Sequence, residues 1–225
     1  MPSTLPSDDS ATAHHAWDSR WQSESGRADW LDPDPDVAAL IPTLKARGLL
    51  RALDLGCGVG RHACYLASEG LAVHAMDASP AGLEFAAQQA KNHDLAIDFR
   101  EGLMTDLPYE DGSFDYVLSF NVIYHGDGGV VSRAIAEIHR ILKPGGVFQG
   151  TMLSKRNANF RVGTEVAPNT FVVSDAGDGD KNHPHFYCNA AELLRLFEDF
   201  ELLSLADREH SRPGSYHWHL VAERP

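Results

Sequence analysis

Basic residues are the scarce class in this 225-residue chain: 19 Lys and Arg stand against 32 Asp and Glu, a formal net charge of −13. Surfaces that hold nucleic acid or an anionic membrane rely on clustered Lys and Arg, so neither is expected as a partner. Long apolar runs are also missing. No stretch approaches the ~20 apolar residues of a membrane span, and the first residues carry neither the basic nor the apolar segment of a secretory signal, so a cytoplasmic location is expected. Cysteine is sparse. Cys57, Cys64 and Cys188 form no C-x-x-C pair and leave one over from any disulfide, which favours a reducing compartment. There is no G-x-S-x-G nucleophile elbow. Histidine is plentiful, and His183-Pro-His185, Cys188 and His217-Trp-His219 invite a metal reading. None of these sets has the close, paired spacing of a structural zinc site, so they are expected as surface or pocket imidazoles with no bound metal.

What the chain does have is a run of alternating glycines. Ala52 to Gly60 reads A-L-D-L-G-C-G-V-G, a short apolar stretch that stops abruptly at Gly56, Gly58 and Gly60 before a helical pattern from Arg61 to Ser68. This predicts strand, tight turn and helix, with bare backbone at a helix N-terminus against which a ligand can lie. The dinucleotide fingerprint is G-x-G-x-x-G, and here the third glycine comes one residue early. Asp54, just ahead of the turn, would also set a carboxylate near a pyrophosphate, and like charges in a partly desolvated cleft repel. A cationic ligand suits the turn better. A second strand, Leu71 to Met76, ends at Asp77, 21 positions after Gly56 and close to the ~20-residue offset at which an acid meets ribose hydroxyls. Ser79-Pro80 then starts another helix, with Leu83, Ala86, Ala87 and Ala90 on one face.

The D-x-G-x-G-x-G loop resembles the first motif of the class I methyltransferases that use S-adenosylmethionine, a ligand with an ammonium and a sulfonium and no phosphate. The resemblance runs over roughly Arg51 to Ser154. It implies an α/β, Rossmann-like fold: a seven-stranded, mostly parallel sheet with its last strand antiparallel and helices on both faces. It also implies a cofactor site of Asp54, Gly56, Cys57, Gly58 and Gly60, with Asp77 and Ala78 after strand two, Leu103 and Met104 as apolar walls near the adenine, and Asn121 after strand four. Many family members carry an acid where this chain has Leu103, which removes one side-chain acceptor for the adenine amino group. Asp54 is expected near the amino acid end of the cofactor.

The ends of the chain read as additions to that body. Residues 1–10 are expected to be disordered, residues 11–48 to form helices that cover the site, and residues 49–225 to be the methyltransferase domain, with 155–187 a polar, Gly-rich substrate-cover insertion. Trp17 and Trp21 share a helix face. Asp34-Pro35 starts a helix running to Arg47. On the acceptor side, Asn121, Tyr124 and His125 follow the carboxyl end of the strand Phe114 to Phe120, where ligand crevices of open α/β sheets lie. The tail, H-x-F-Y before a helix and E-H-x-R after strand six, is loosely similar to tellurite-resistance and related small-molecule methyltransferases. That likeness implies His210 as a general base supported by Tyr124 and His125. It adds Arg212 as an acceptor contact; Arg156 and His185 of the 155–187 cover and Trp17 and Trp21 of the N-terminal helix are the other expected acceptor contacts. The expected activity is methyl transfer to a small-molecule acceptor. A NAD(P)-binding oxidoreductase and a cofactor-binding protein without transferase activity are the alternatives.

Overall fold

The computed structural model describes residues 13–174 and 179–225, so the expected disorder of residues 1–10 lies outside the described residues. Two short helices, α1 (Ala13–Trp21) and α2 (Glu24–Arg27), and a 3-10 turn (Ala28–Trp30) precede α3 (Pro35–Ala46), whose N-cap Asp34 accepts from the Asp36 N–H. The alternation then begins: β1 (Arg51–Leu55), α4 (Arg61–Ser68), β2 (Ala72–Asp77), α5 (Pro80–Asn92), β3 (Ile97–Glu101), β4 (Phe114–Ser119), α6 (Gly128–Ile141) and β5 (Leu142–Ser154). Strands β3, β2, β1, β4 and β5 lie side by side in that order, all parallel. After an insertion and α7 (Ala190–Leu196), β9 (Glu201–Glu209) and β10 (Tyr216–Glu223) complete the sheet; β10 runs antiparallel between β5 and β9. These are the seven strands expected, with the last one reversed.

Burial follows the two-residue period of the strands. Leu53, Leu55, Val117 and Phe148 point to one face, where α6 and α7 contribute Ile135, Ile138 and Leu193. Ala52, Tyr116 and Leu118 point to the other, covered by Val37, Ile41 and Leu44 of α3 and by Ala63 and Leu66 of α4. Both faces of β4 are buried, which is why its sequence is apolar almost throughout. Among the described residues no helix is long and apolar enough to cross a membrane.

The insertion differs from its expected form. Instead of an irregular cover, the segment after β5 contains a hairpin, β6 (Thr164–Ala167) and β7 (Thr170–Val172), then a 3-10 turn (Gly179–Asn182) and β8 (His185–Cys188). Strand β8 pairs in parallel with the end of β5 and antiparallel with β7, so three strands extend the seven to ten. The polar composition of the segment hides two short aromatic and β-branched runs, T-F-V and H-F-Y-C. Phe171, Phe186 and Tyr187 from those runs join the core.

Candidate active site

The strand order reverses between β1 and β4, and a cleft of about 1000 Å³ including its mouth opens at their carboxyl ends. This is the position expected of a ligand crevice in an open parallel sheet. Gly56, Cys57 and Gly58 form its floor, followed by Asp77 and Ala78 from the end of β2, Leu103 and Met104 from the loop after β3, and Asn121 and His125 from the loop after β4. The turn is built to be bare. Gly56, Gly58 and Gly60 all have positive φ, and a Cβ on Gly56 would lie 2.4 Å from the Val122 side chain. Gly60 does not line the cleft; it packs the turn against α5, where a Cβ would meet that of Ala86 at 2.6 Å. Gly60→Ala, forced into a left-handed conformation as well, should lose about 2–4 kcal/mol of stability. Urea denaturation measures it, and an unchanged midpoint would refute the packing role.

Asp77 fastens the turn to the second strand. Its Oδ2 accepts from the Gly58 N–H at 2.7 Å and its Oδ1 from the Ser79 N–H at 2.8 Å. Burial raises its pKa, against the lowering effect of those backbone donors. A carboxylate has about four lone-pair positions, so capacity for ligand hydroxyls remains. Asp54 is placed differently from expectation. It is 1% exposed, does not line the cleft, and takes the backbone N–H of Ala63 in the first turn of α4. Burial pushes its pKa up to about 7, and its Oδ2 has no hydrogen-bond partner among the described residues. The direct ligand contact is therefore corrected to a support of the helix N-terminus beside the turn.

Helix α1 lies over this floor. Asp18 accepts from the Ser79 hydroxyl at 2.8 Å and the Ala81 N–H at 2.9 Å, so α1 caps α5. Trp21 packs on Gly58 and Gly82, where added Cβ atoms would lie 3.3 and 2.9 Å from its ring. Trp17, Trp21 and Trp30 form one aromatic group with centroids 4.9 to 5.7 Å apart, and all three line the cleft. Sequence reading found the first two by their helical spacing and missed Trp30, which follows in a 3-10 turn with no periodicity to mark it. It also missed Arg61, His62 and Phe120 as wall residues. Arg61, largely buried between the rings of Trp30 and Phe120, is a cation in the wall. The local signal was available, since Arg61 directly follows Gly60.

The expected acceptor residues are dispersed. His125 lines the cleft, 6.1 Å from Trp17 between ring centres, and Tyr124 is buried beside it. His185 is buried 4.8 Å from the His125 ring. His210 is elsewhere: its Nε2 is 2.8 Å from His219 Nε2, its ring stacks on His217 at 3.8 Å, and His219 reaches Asp36 at 2.9 Å. It stacks behind the wall residue Phe120 at 6.2 Å and does not itself line the cleft. A general base must reach the proton that it takes, and of these two histidines only His125 lines the cleft. Arg156 is also corrected: its side chain is 61% exposed, pairs with Asp207 and lies over Tyr216. Arg212 is exposed in the turn between β9 and β10.

The residues present fit S-adenosylmethionine. The bare turn, an acid at the end of β2 and the apolar wall at Leu103 and Met104 match a nucleoside with an amino acid tail. Aromatic faces at Trp17, Trp21 and Trp30 suit a cationic sulfur.

Comparison with known proteins agrees. Residues 53–149 match the family described as methyltransferase domain. The chain is 35% identical over 147 residues to a probable phthiotriol/phenolphthiotriol dimycocerosates methyltransferase of Mycobacterium ulcerans, covering 64% of this chain and 52% of that protein. It is 32% identical over 169 residues to the malonyl-[acyl-carrier protein] O-methyltransferase of Salmonella typhimurium, covering 72% and 64%. The chain spans about half the length of the curated relatives it matches, 44% of one Synechocystis protein and 52% of the mycobacterial one. Among solved structures, magnesium protoporphyrin IX methyltransferase of Synechocystis with bound S-adenosylmethionine superposes with a TM-score of 0.69 at 18% identity, covering 100% of both chains. Residues 53–149 are a methyltransferase domain, and the chain carries it on the architecture of the class I S-adenosylmethionine-dependent methyltransferases.

Proposed function

We propose that this protein transfers a methyl group from S-adenosylmethionine to a small molecule bound beneath the α1 cover. The observation that carries this reading is one cleft that joins the glycine turn and Asp77 to a tryptophan-lined space ending at His125. When bound, the cofactor supplies an electrophilic methyl group on a sulfonium, so the chain's part is to align and desolvate the acceptor. Holding two reactants in line contributes several kcal/mol without covalent help. Asp77 would take the ribose hydroxyls, Arg61 the cofactor carboxylate, and the three tryptophans the face of the sulfonium. His125 donates through Nδ1–H to the Val122 carbonyl oxygen at 2.8 Å, which holds its ring in place at the cleft wall.

The relatives described above are named for substrates as different as phthiotriol/phenolphthiotriol dimycocerosates and malonyl-[acyl-carrier protein], so the acceptor must be argued from the cleft. Trp17, Trp30, Phe120, Val122 and Val130 make its wall largely apolar, which favours an acceptor with an apolar or aromatic body and one nucleophilic heteroatom. The net charge of −13 gives nucleic acid no general footing. Incubation with a panel of such acceptors and methyl-labelled cofactor, read by mass spectrometry for one added CH₂, tests the proposal. Binding without turnover on any acceptor would favour a cofactor-binding protein instead, and tighter binding of NAD would overturn the cofactor choice. Replacing Trp17 or Trp21 by Ala should raise the acceptor KM or the cofactor Kd about tenfold by opening the cover. Unchanged kinetics in both variants would remove α1 from the working site.

A further inference from the structure

We infer that His125, His183 and His185 form a binding site for a divalent transition-metal ion, with Zn²⁺ as the reference case. Each offers one ring nitrogen, the three lie within 4.8 Å of one another, and all three residues are buried. Among the described residues no other set of three His, Cys, Asp or Glu residues converges in this way. In the sequence His183 and His185 stand near Cys188 without the spacing of a ligand set. The third imidazole comes from the loop after β4, 58 positions before His183.

The site is held by backbone pairing. The Gly126 N–H donates to the Pro184 carbonyl and the Phe186 N–H to the Tyr124 carbonyl, both at 2.9 Å, so His125 and His185 face each other across a two-stranded bridge. Tautomers follow from the same backbone. A carbonyl oxygen only accepts, so the Nδ1 of His125, 2.8 Å from the Val122 oxygen, and the Nδ1 of His185, 2.9 Å from the His183 oxygen, each carry a hydrogen. In a neutral imidazole this puts the lone pair on Nε2, the arrangement in which metal-bound histidines are usually oriented by a second partner. Tetrahedral Zn–N bonds of ~2.1 Å need nitrogens about 3.4 Å apart, so a rotation of roughly 1 Å closes the trio on an ion.

Three imidazoles are a ligand set that leaves a fourth position open, and His125 belongs to the wall of the cleft. A hydroxyl or thiol acceptor coordinated there would lose its proton more readily. That last step rests on the methyl-transfer reading; the metal site does not.

The test uses the full chain stripped with a chelator and then titrated with Zn²⁺ by calorimetry and with Co²⁺ by visible absorption. One equivalent should bind at micromolar Kd or tighter, with the intense d–d bands of four-coordinate cobalt. His183→Gln and His125→Ala should each weaken binding at least tenfold, whereas His139→Ala on α6 should not alter it. Far-ultraviolet circular dichroism reports whether each variant is folded, and wild-type affinity for S-adenosylmethionine, measured in parallel, separates failure of this inference from failure of the proposed activity. Absence of binding at 100-fold above a micromolar concentration would overturn the site. So would binding that survives His183→Gln but is lost in His217→Ala, which would put the ion at the β9–β10 hairpin.

Discussion

Asp77→Ala should weaken S-adenosylmethionine by tenfold or more while leaving a folded protein. Two effects add. The substitution removes the acceptor of the Gly58 and Ser79 N–H groups, which lie at 2.7 and 2.8 Å and set the shape of the turn. It also removes the carboxylate proposed to take the ribose hydroxyls, and a hydrogen bond to a charged group contributes on the order of 1.5–3 kcal/mol. Burial raises the Asp77 pKa, and the backbone donors at Gly58, Ser79 and Ala78 act against that rise. Asp77→Asn would meet those donors with an amide that can accept at only one oxygen, and should fall between wild type and Ala. To isolate the ribose contact, affinity for S-adenosylhomocysteine is compared with that for its 2′- and 3′-deoxy analogues. The wild type should lose affinity on removal of a hydroxyl and Asp77→Ala should not. Equal losses in both proteins would show that Asp77 acts on the turn alone.

Some features of this chain are written locally in its sequence, and others exist only once the chain is assembled. Gly56, Gly58 and Gly60 were legible because a turn with three positive φ values has few other solutions, and Asp77 because strand length and turn length fix its offset. The α3 helix was legible from Asp34-Pro35 and its apolar face even though Pro42 lies inside it. Asp54 was misplaced because sequence spacing puts it near the turn but does not say on which side; the alternation along β1 turns it under α4. The strands β6 to β8 were hidden by polar neighbours, since each has only three or four residues and pairs with another short strand, β8 meeting only the last residues of β5 besides. His210 was assigned from a loose likeness of the tail. Its position is set by pairing across β9 and β10, which brings it against His217 and His219. The His125, His183 and His185 group arises only when β8 is laid beside the loop after β4, and no spacing rule within the sequence specifies that contact.

That same hairpin makes the protein's stability fall on acidification. Burial lowers the pKa of His210 to about 4 and of His217 to about 3, with repulsion from His219 adding to the effect in both and from His210 in His217. His62, whose Nε2 accepts from the Asp34 N–H at 3.1 Å, is lowered too. In the unfolded chain each returns to about 6.5. Between those values the unfolded state binds more protons than the folded one, so stability declines as pH falls below about 6.5 and levels off only near the folded pKa. Asp54 acts in the opposite sense. Its folded pKa of about 7 lies above its unfolded value, so the native state gains stability as pH falls through 7, which offsets part of the loss. A single histidine is therefore measured by difference. His217 is 5% exposed and stays neutral in the folded protein at pH 5, so its contribution between pH 7.5 and pH 5 is about 2 kcal/mol, whatever its folded pKa below that range. His217→Phe keeps the ring and removes the titration. Urea denaturation at pH 7.5 and pH 5 should show the variant losing about 2 kcal/mol less than wild type over that interval. Equal losses in the two proteins would mean that His217 is protonated in the folded state and that the hairpin's imidazoles are not held neutral by burial.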